Sequence, residues 1–422
     1  MNCLRFRKTT GWIVAIAWLP GLLLSCVKNL DTSLEASLPL KTAPFANVGD
    51  ALKAGKASLF FQAVTRSGLD SDLYSAVVNY TVLAPSDSAM LAAGFTKEVI
   101  NTLSVDSLKK LIGYHIITGA LSAEDMGSAV LPIKAPTLVN VPPYPGQYGN
   151  WTNMPGQPLP VFVKYYAGHG LYVNDERVGD TTSLIRAANG YIFTSRKVII
   201  PPFGHTIMDF IRSQPDLSLY YNALKIVDSI NRSLYNIEYG EYEDTLIFQK
   251  QGIYNYNNLN TWTPGNCLTV FAPTNAAFEA AGLHTVSDIL DYAFVDGSTS
   301  FTYQSPMDSV LRRHVVFDYL NTNPAKAILL YADLAYNSMM VNNTGMNVYV
   351  KSSFKGYDGG NFMKLPSLVF SAVNNIPYIQ WSVDPGKPRT PVPAEDPSAQ
   401  YPHHFFGRNG VVYKVNTLFI RN

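Results

Sequence analysis

Charged residues are scarce in this chain. They make up 15% of its 422 residues, and 32 Lys and Arg nearly balance 31 Asp and Glu, for a formal net charge of +1. No run rich in Lys or Arg occurs, whereas proteins that neutralise nucleic-acid phosphates carry such a stretch, so we set that class aside. Hydrophobic residues reach 47%. That content argues against intrinsic disorder. At ~100–200 residues per domain, the length of the chain predicts two domains or three small ones.

The chain also has few cysteines and none of the common enzyme motifs. The three cysteines are Cys3, Cys26 and Cys267, too few for a metal site built from several cysteines. The chain has no G-x-S-x-G turn, no H-E-x-x-H and no Gly-rich phosphate loop. Asp175-Glu176 could supply paired carboxylates for sugar hydrolysis, but acidic neighbours in a turn are usually only solvated. We therefore predict no catalytic activity, no cofactor and no metal.

The first 26 residues predict a targeting segment. A basic stretch with Arg5, Arg7 and Lys8 precedes the uncharged, mostly apolar stretch Gly11–Leu24. This is the length of the apolar region of a signal peptide, and it is shorter than the ~20 residues that a membrane-spanning helix needs. We therefore predict a signal peptide over residues 1–25.

The targeting segment ends in Leu-Leu-Ser-Cys at Cys26, which resembles the lipobox of bacterial lipoproteins. That resemblance implies cleavage before Cys26 and acylation of its thiol and amine, which would anchor the protein stably in a membrane. The alternatives are an uncleaved anchor and an ordinary secretory signal with a chance cysteine. Residues 26–44 then predict a lipidated tether. Val27 stands where enteric sorting to the inner membrane uses Asp, which favours the outer membrane of a Gram-negative bacterium.

Four blocks of residues occur twice, in the same order. The pairs are Ser58–Val64 with Ser218–Leu224, Thr81–Met90 with Thr269–Phe278, Leu111–Ile117 with Val310–Val316, and Asn189–Phe193 with Asn409–Tyr413. Residues 58 and 218 are 160 apart whereas residues 189 and 409 are 220 apart, so the second copy carries insertions. Insertions of this kind map to loops. We therefore predict two copies of one domain, over residues 45–202 and 203–422.

The repeated blocks predict helices first and strands afterwards. Ser or Thr stands at the predicted N-cap of four helices, namely Ser58, Ser86, Ser218 and Thr274. Short β-rich runs from Thr81 and from Leu268 stop at Ala-Pro, because Pro ends a strand. The Asn-Gly dipeptides at Asn189 and Asn409 predict hairpins. This order is typical of an α+β fold.

These repeated blocks resemble the fasciclin domain. The resemblance rests on Thr-Val-x-Ala-Pro, a helix ending in His before an aliphatic pair, and Asn-Gly, each present in both copies. It covers nearly all of the mature chain. It implies a wedge of β-strands flanked by helices, and a function in extracellular adhesion through matrix, glycan or protein ligands rather than in catalysis.

Two neighbouring residues carry a more specific resemblance. Tyr114-His115 is similar to the Tyr-His motif that some animal fasciclin domains use in integrin adhesion, and Arg313-His314 stands at that place in the second copy. Tyr114, His115 and His314 are therefore candidate ligand-binding residues. The alternative, which we favour for both histidines, is structural: the helix macrodipole stabilises a His at a helix end, where its ring can bond a carbonyl.

A Pro- and Gly-rich stretch supplies further candidates for ligand binding. Residues 142–160 contain Tyr144, Tyr148 and Trp151, and Pro and Gly exclude a regular strand or helix there. Exposed aromatic side chains anchor interfaces and stack on sugars. An ordinary insertion whose aromatic side chains fold back on the domain is the alternative, and the sequence leaves both open.

Together these features predict a non-enzymatic, surface-exposed lipoprotein of the outer membrane that binds an extracellular protein or glycan. Two alternatives remain. One is an accessory lipoprotein that docks beside a TonB-dependent outer-membrane transporter and binds glycan. The other is a structural role inside the cell envelope.

Overall fold

The structure is a computed structural model. It describes residues 43–129, 131–141, 157–180, 184–202, 207–239, 268–294, 306–316, 328–336, 368–381, 390–392, 404–407 and 410–420. Cys26 and Cys267 lie outside the described residues, as do the predicted signal peptide and nearly all of the tether.

We call the described residues 43–202 the first unit. Its helices are α1 (Val48–Ala54), α2 (Ser58–Ser67), α3 (Asp70–Leu73), α4 (Asp87–Ala92), α5 (Lys97–Thr102), α6 (Val105–Gly113) and α7 (Ala123–Ser128). Its strands are β1 (Tyr80–Pro85), β2 (Ile116–Thr118), β3 (Ile133–Val141), β4 (Gln157–Tyr166), β5 (Gly170–Val173), β6 (Glu176–Gly179), β7 (Leu184–Ala187) and β8 (Gly190–Ser195).

The strands of the first unit form one sheet in the order β6-β5-β4-β3-β2-β1-β8-β7. β1 and β8 are parallel, and the other neighbours are antiparallel. The sheet curls, since the Arg196 amide donates to the Val178 carbonyl at the end of β6 (2.6 Å). Helices cover one face through buried side chains such as Phe60 and Ile112, while Phe193 belongs to a second core within the curl. The predicted α+β fold class, with a sheet wedge and flanking helices, is confirmed.

We call the described residues 207–420 the second unit. Its helices are α8 (Ile207–Ser213), α9 (Ser218–Tyr239), α10 (Asn275–Ala280), α11 (Val286–Phe294), α12 (Pro306–Arg312) and α13 (Tyr331–Tyr336), and a short 3₁₀ turn, Pro215–Leu217, precedes α9. Its strands are β9 (Leu268–Pro273), β10 (Val315–Val316), β11 (Leu368–Val373), β12 (Ile376–Trp381), β13 (Thr390–Pro391), β14 (His404–Gly407) and β15 (Gly410–Val415). They form two sheets, β10-β9-β15-β14 and β11-β12-β13.

The repeated blocks occupy matching places in the two units. β9 and β15 are parallel, as β1 and β8 are, and the registers start at equivalent residues, Tyr80 opposite Gly190 and Leu268 opposite Gly410. Both glycines have positive φ, 148° and 149°. A Cβ on Gly190 would lie 1.8 Å from the Tyr80 carbonyl oxygen, so that position accepts only glycine. The predicted domain boundary at residues 202 and 203 stays a prediction.

Two of the predicted N-caps occupy the predicted position, but only one of them caps with its side chain. The Ser86 hydroxyl accepts from the Ala89 amide (3.2 Å) at the start of α4. Thr274 occupies the N-cap position of α10, but its hydroxyl donates to Asn416 Oδ1 (2.8 Å) instead of capping.

The N-cap prediction for Ser218 is wrong, because Ser218 is the first residue inside α9. The N-cap prediction for Ser58 is wrong for the same reason, because Ser58 is the first residue inside α2. A residue from another element caps this helix: Asp87 Oδ1 accepts from the Leu59 amide (2.8 Å), and Asp87 Oδ2 accepts from the Ser58 hydroxyl (2.6 Å). In the second unit Asn275 does the same for the Leu219 amide (2.9 Å). Asp87 and Asn275, which follow the first strand of their units, therefore each cap the start of the long helix of the same unit.

Removing this long-range cap should destabilise the first unit. We expect Asp87→Ala to lower the free energy of unfolding by about 1 kcal/mol, since an amide donor loses its acceptor. Chemical denaturation followed by circular dichroism measures the change. Asp106→Ala, which removes an exposed carboxylate from the first turn of α6, is the matched control and should cost less than ~0.5 kcal/mol. Equal effects of the two variants would contradict the cap.

Candidate functional site

The Tyr114-His115 pair lies at the end of α6, and both side chains are fully buried. His115 Nδ1 bonds the Leu111 carbonyl oxygen (2.9 Å), and His115 Nε2 accepts from the Ile199 amide (2.9 Å). Because Nε2 is an acceptor, the proton of the neutral ring is on Nδ1. The ring therefore ties the end of α6 to the segment that leaves the first unit.

His314 has the same kind of environment in the second unit. It is fully buried, its Nε2 accepts from the Phe419 amide (3.0 Å), and its Nδ1 bonds the Phe271 carbonyl oxygen (2.8 Å). Arg313 donates to the Phe419 carbonyl (2.8 Å), so it also holds the last segment of the chain.

Burial lowers the pKa of His115 to about 4 and the pKa of His314 to about 3. Both rings are therefore neutral near pH 7, although a cation near the C-terminal end of a helix is favoured by the helix macrodipole. The cost of removing an imidazolium from water exceeds the dipole contribution, and a protonated Nε2 would also face an amide donor.

The predicted ligand-binding residues fall into two groups. Tyr114, His115 and His314 have no exposed surface, so a ligand could reach them only after the fold opened. Both histidines bond backbone groups, as the structural alternative expects, and ligand binding by these three residues is untested. Tyr144, Tyr148 and Trp151 lie outside the described residues, and ligand binding by them stays a prediction.

The Tyr114 hydroxyl reaches a tight turn between β5 and β6. It donates to the Pro160 carbonyl (3.2 Å) and accepts from Asn174 Nδ2 (2.7 Å), while Asn174 Oδ1 accepts from the Phe162 amide (2.9 Å). Asn174 and Asp175 both have positive φ, 49° and 70°, as a two-residue hairpin turn requires. Tyr114 thus holds Asn174, and Asn174 sets the position of Asp175.

Asp175 connects the two units. Its carboxylate accepts from the Tyr331 amide (2.8 Å) and the Ala332 amide (3.2 Å) at the start of α13, and from the Tyr413 hydroxyl (2.7 Å). Burial, together with the neighbouring carboxylate of Asp175, raises the pKa of Tyr413, which keeps the hydroxyl protonated as a donor. The sequence led us to expect only solvation at Asp175, and this was wrong.

A buried ion pair lies beside the Asp175 contact. Lys164 Nζ of β4 is 3.1 Å from Asp333 Oδ1 of α13, and the two side chains are 6% and 0% exposed. Burial raises the pKa of Asp333, and the Lys164 charge opposes that rise. The Lys164 ammonium also lies 4.9 Å from the centre of the Tyr166 ring. Charges buried this deeply persist only when paired, so each unit neutralises a charge of the other.

Aromatic and aliphatic contacts complete the interface between the units. Tyr336 of α13 stacks on His169 with ring centres 3.9 Å apart and meets Tyr166 edge-on at 6.0 Å. Phe162 of the first unit is buried in one core with residues of the second unit, Phe271 among them. Sequence reasoning missed this interface, because the Asn174-Asp175 dipeptide indicates a tight turn but not what the Asp175 carboxylate contacts.

A cleft of about 540 Å³ opens where the units join. Its walls include the Glu176–Lys197 ion pair, residues 197–202, and Phe405 and Phe406 of β14. Among the described residues no three His, Cys, Asp or Glu side chains cluster as metal ligands would. Within the same ranges no helix has the length and apolar character to cross a membrane.

The two buried histidines should make stability depend on pH. Their pKa values in the fold, about 4 and about 3, lie below the ordinary value of 6.5. Below pH 6.5 the unfolded chain binds protons that the folded chain does not. The stabilisation is therefore complete above pH 6.5 and falls as pH decreases towards 4, by about 1.4 kcal/mol per pH unit for each histidine.

Denaturant unfolding between pH 7.5 and 5.5 measures this dependence. We expect His115→Asn to reduce the slope, although it lowers stability at pH 7.5. His284→Gln removes an exposed histidine and should leave the slope unchanged. A wild-type stability that stays constant over this range would contradict neutral buried rings.

Comparison with known proteins gives two findings. Residues 55–201 match the model of the Fasciclin family, whose description is "Fasciclin domain". A search of solved structures returns a FAS1 domain pair from the insect cell adhesion molecule Fasciclin I, at 14% identity and a TM-score of 0.29, covering 87% of this chain and 98% of that one. No curated protein matches the chain. Residues 55–201 are therefore similar to the fasciclin domain, and such domains suggest an adhesive or binding role and are typically non-catalytic.

Proposed function

We propose that this chain is a non-enzymatic lipoprotein of the bacterial outer membrane that binds an extracellular protein or glycan through two fasciclin-like units. The match of residues 55–201 to the fasciclin domain carries this proposal. Further support comes from the second unit, in which the parallel central strands pair in the same register as in the first. The lipobox-like sequence at Cys26 supports the anchor.

This proposal does not use the Tyr-His pair as the ligand contact. Tyr114, His115 and His314 are fully buried and hold backbone groups, so they are committed to the fold. Tyr144, Tyr148 and Trp151 remain the proposed contacts, because rigid aromatic side chains in a Pro- and Gly-rich segment suit a protein interface or a sugar ring.

Protease treatment of intact cells tests the placement. We expect peptides from residues 142–160 to be released from whole cells and identified by mass spectrometry. Cys26→Ser removes the proposed acylation site, so this variant should move from the membrane fraction to the soluble fraction. Peptide release only after the outer membrane is opened would contradict surface exposure and would favour a role inside the envelope.

Glycan and matrix-protein arrays then test the ligand contacts. The purified protein should bind one class of ligand, and replacement of Tyr144, Tyr148 and Trp151 by Ala should weaken that binding by at least ~10-fold, since aromatic anchors carry most of an interface energy. Phe294→Ala, which removes an aromatic side chain that is 60% exposed on the second unit, is the matched control. Equal binding by both variants would contradict a role for the three aromatic residues. Copurification with an outer-membrane transporter, without array binding, would favour the accessory role.

A further inference from the structure

Helices α7 and α13 occupy equivalent places in the two units. The Thr81 hydroxyl of β1 accepts from the Leu121 amide (2.7 Å), and the Thr269 hydroxyl of β9 accepts from the Leu329 amide (2.8 Å). Each of these leucines lies two residues before its helix. Because Thr81 and Thr269 are equivalent residues of the repeat, Leu121 corresponds to Leu329, and the helix that follows can be compared residue by residue.

The first unit caps its own helix. Ser122 accepts from the Asp125 amide (3.1 Å), and Asp125 Oδ2 accepts in return from the Ser122 amide (2.9 Å), which makes a complete capping box. In the second unit Leu330 and Asp333 hold these two positions. The leucine side chain has no hydrogen-bond acceptor, so the N-cap position of α13 offers none to the helix amides.

The first unit supplies an acceptor for the start of α13. Asp175 accepts from the Tyr331 and Ala332 amides, the first two of that helix, whereas Ser122 in the first unit accepts from the third amide of α7. Asp333, freed from a capping box, pairs with Lys164 (3.1 Å). Helix α7 therefore takes its cap from its own residues, whereas α13 takes its N-terminal acceptor and the partner of its aspartate from the first unit.

We propose that the first unit holds the second in its folded arrangement: Asp175 supplies the cap and Lys164 the counter-charge that α13 lacks, and Tyr114 positions Asp175 through Asn174. The two units are then one body and not two independent binding modules. This inference goes beyond the proposed function and does not depend on the ligand.

Among the described residues, the first unit caps a helix of the second unit, but the second unit does not cap a helix of the first in return. The second unit has its own turn of the same type, Asn374-Asn375, with φ of 52° and 64°, but it lacks the carboxylate. Both residues are exposed, as are the flanking Val373 (50%) and Ile376 (41%). Since α7 is already capped by Ser122, it does not need such a turn either.

Hydrogen exchange of the full-length protein, read by mass spectrometry, tests the cap. In Asp175→Ala we expect the amides of α13 and β15 to exchange on the order of 10- to 100-fold faster, because buried donors lose their acceptor. The amides of β1 and β8 in the first unit should keep their protection. Glu176→Ala, at the adjacent residue, is the matched control and should leave α13 unchanged. Unchanged exchange in Asp175→Ala, or an equal rise in both units, would overturn the proposal.

Paired substitutions test the counter-charge. Lys164→Met leaves Asp333 buried without its partner, and exchange across the second unit should rise by on the order of 100-fold. The double variant Lys164→Met with Asp333→Leu replaces both charges by apolar groups and should recover most of that protection. No effect of the single variant, or a double variant that exchanges faster than the single one, would overturn the proposal.

A pair of hydroxyl deletions tests the positioning role of Tyr114. Tyr114→Phe removes a hydroxyl with two hydrogen-bond partners, and exchange in α13 should rise several-fold although Tyr114 does not touch that helix. Tyr220→Phe removes a buried hydroxyl that has no partner among the described residues, so it should leave exchange unchanged. Equal exchange in the two variants would overturn the link from Tyr114 to Asp175.

Discussion

The buried ion pair between Lys164 and Asp333 is the constraint on which the arrangement of the two units depends. Each charge belongs to a different unit, and the side chains are 6% and 0% exposed. Removing one partner of such a pair costs several kcal/mol, on the order of 3–5, because the remaining charge stays buried. The two units are therefore stable only when they pack against each other. The cap by Asp175 and the stacking of His169 on Tyr336 lie on the same surface.

The burial of the Tyr-His pair changes where a binding function can lie. Neutral His115 fastens the end of α6 to the segment before residue 200, and Tyr114 fastens the turn that reaches the second unit. The pair therefore acts on the fold and on the interface. Two units fixed in this way keep the exposed surfaces of their described residues at a constant separation.

Local sequence patterns predicted much of the fold. Proline after a β-rich run, Asn-Gly in a hairpin and Ser86 at an N-cap act within a few residues, so their outcome can be read from the chain. Contacts between distant residues could not be predicted in this way. Nothing in the local pattern of Asp87 shows that it caps a helix 28 residues earlier, and nothing near Asp175 shows that it caps a helix of the other unit. The neutral ring of His115 could not be predicted either, because it follows from burial, which depends on the whole fold.

Differential scanning calorimetry of the full-length protein tests the central claim most directly. If the two units are one body, the protein should unfold in a single transition whose calorimetric and van't Hoff enthalpies agree. Two separate transitions, with the second unit melting while the first stays folded, would contradict the account.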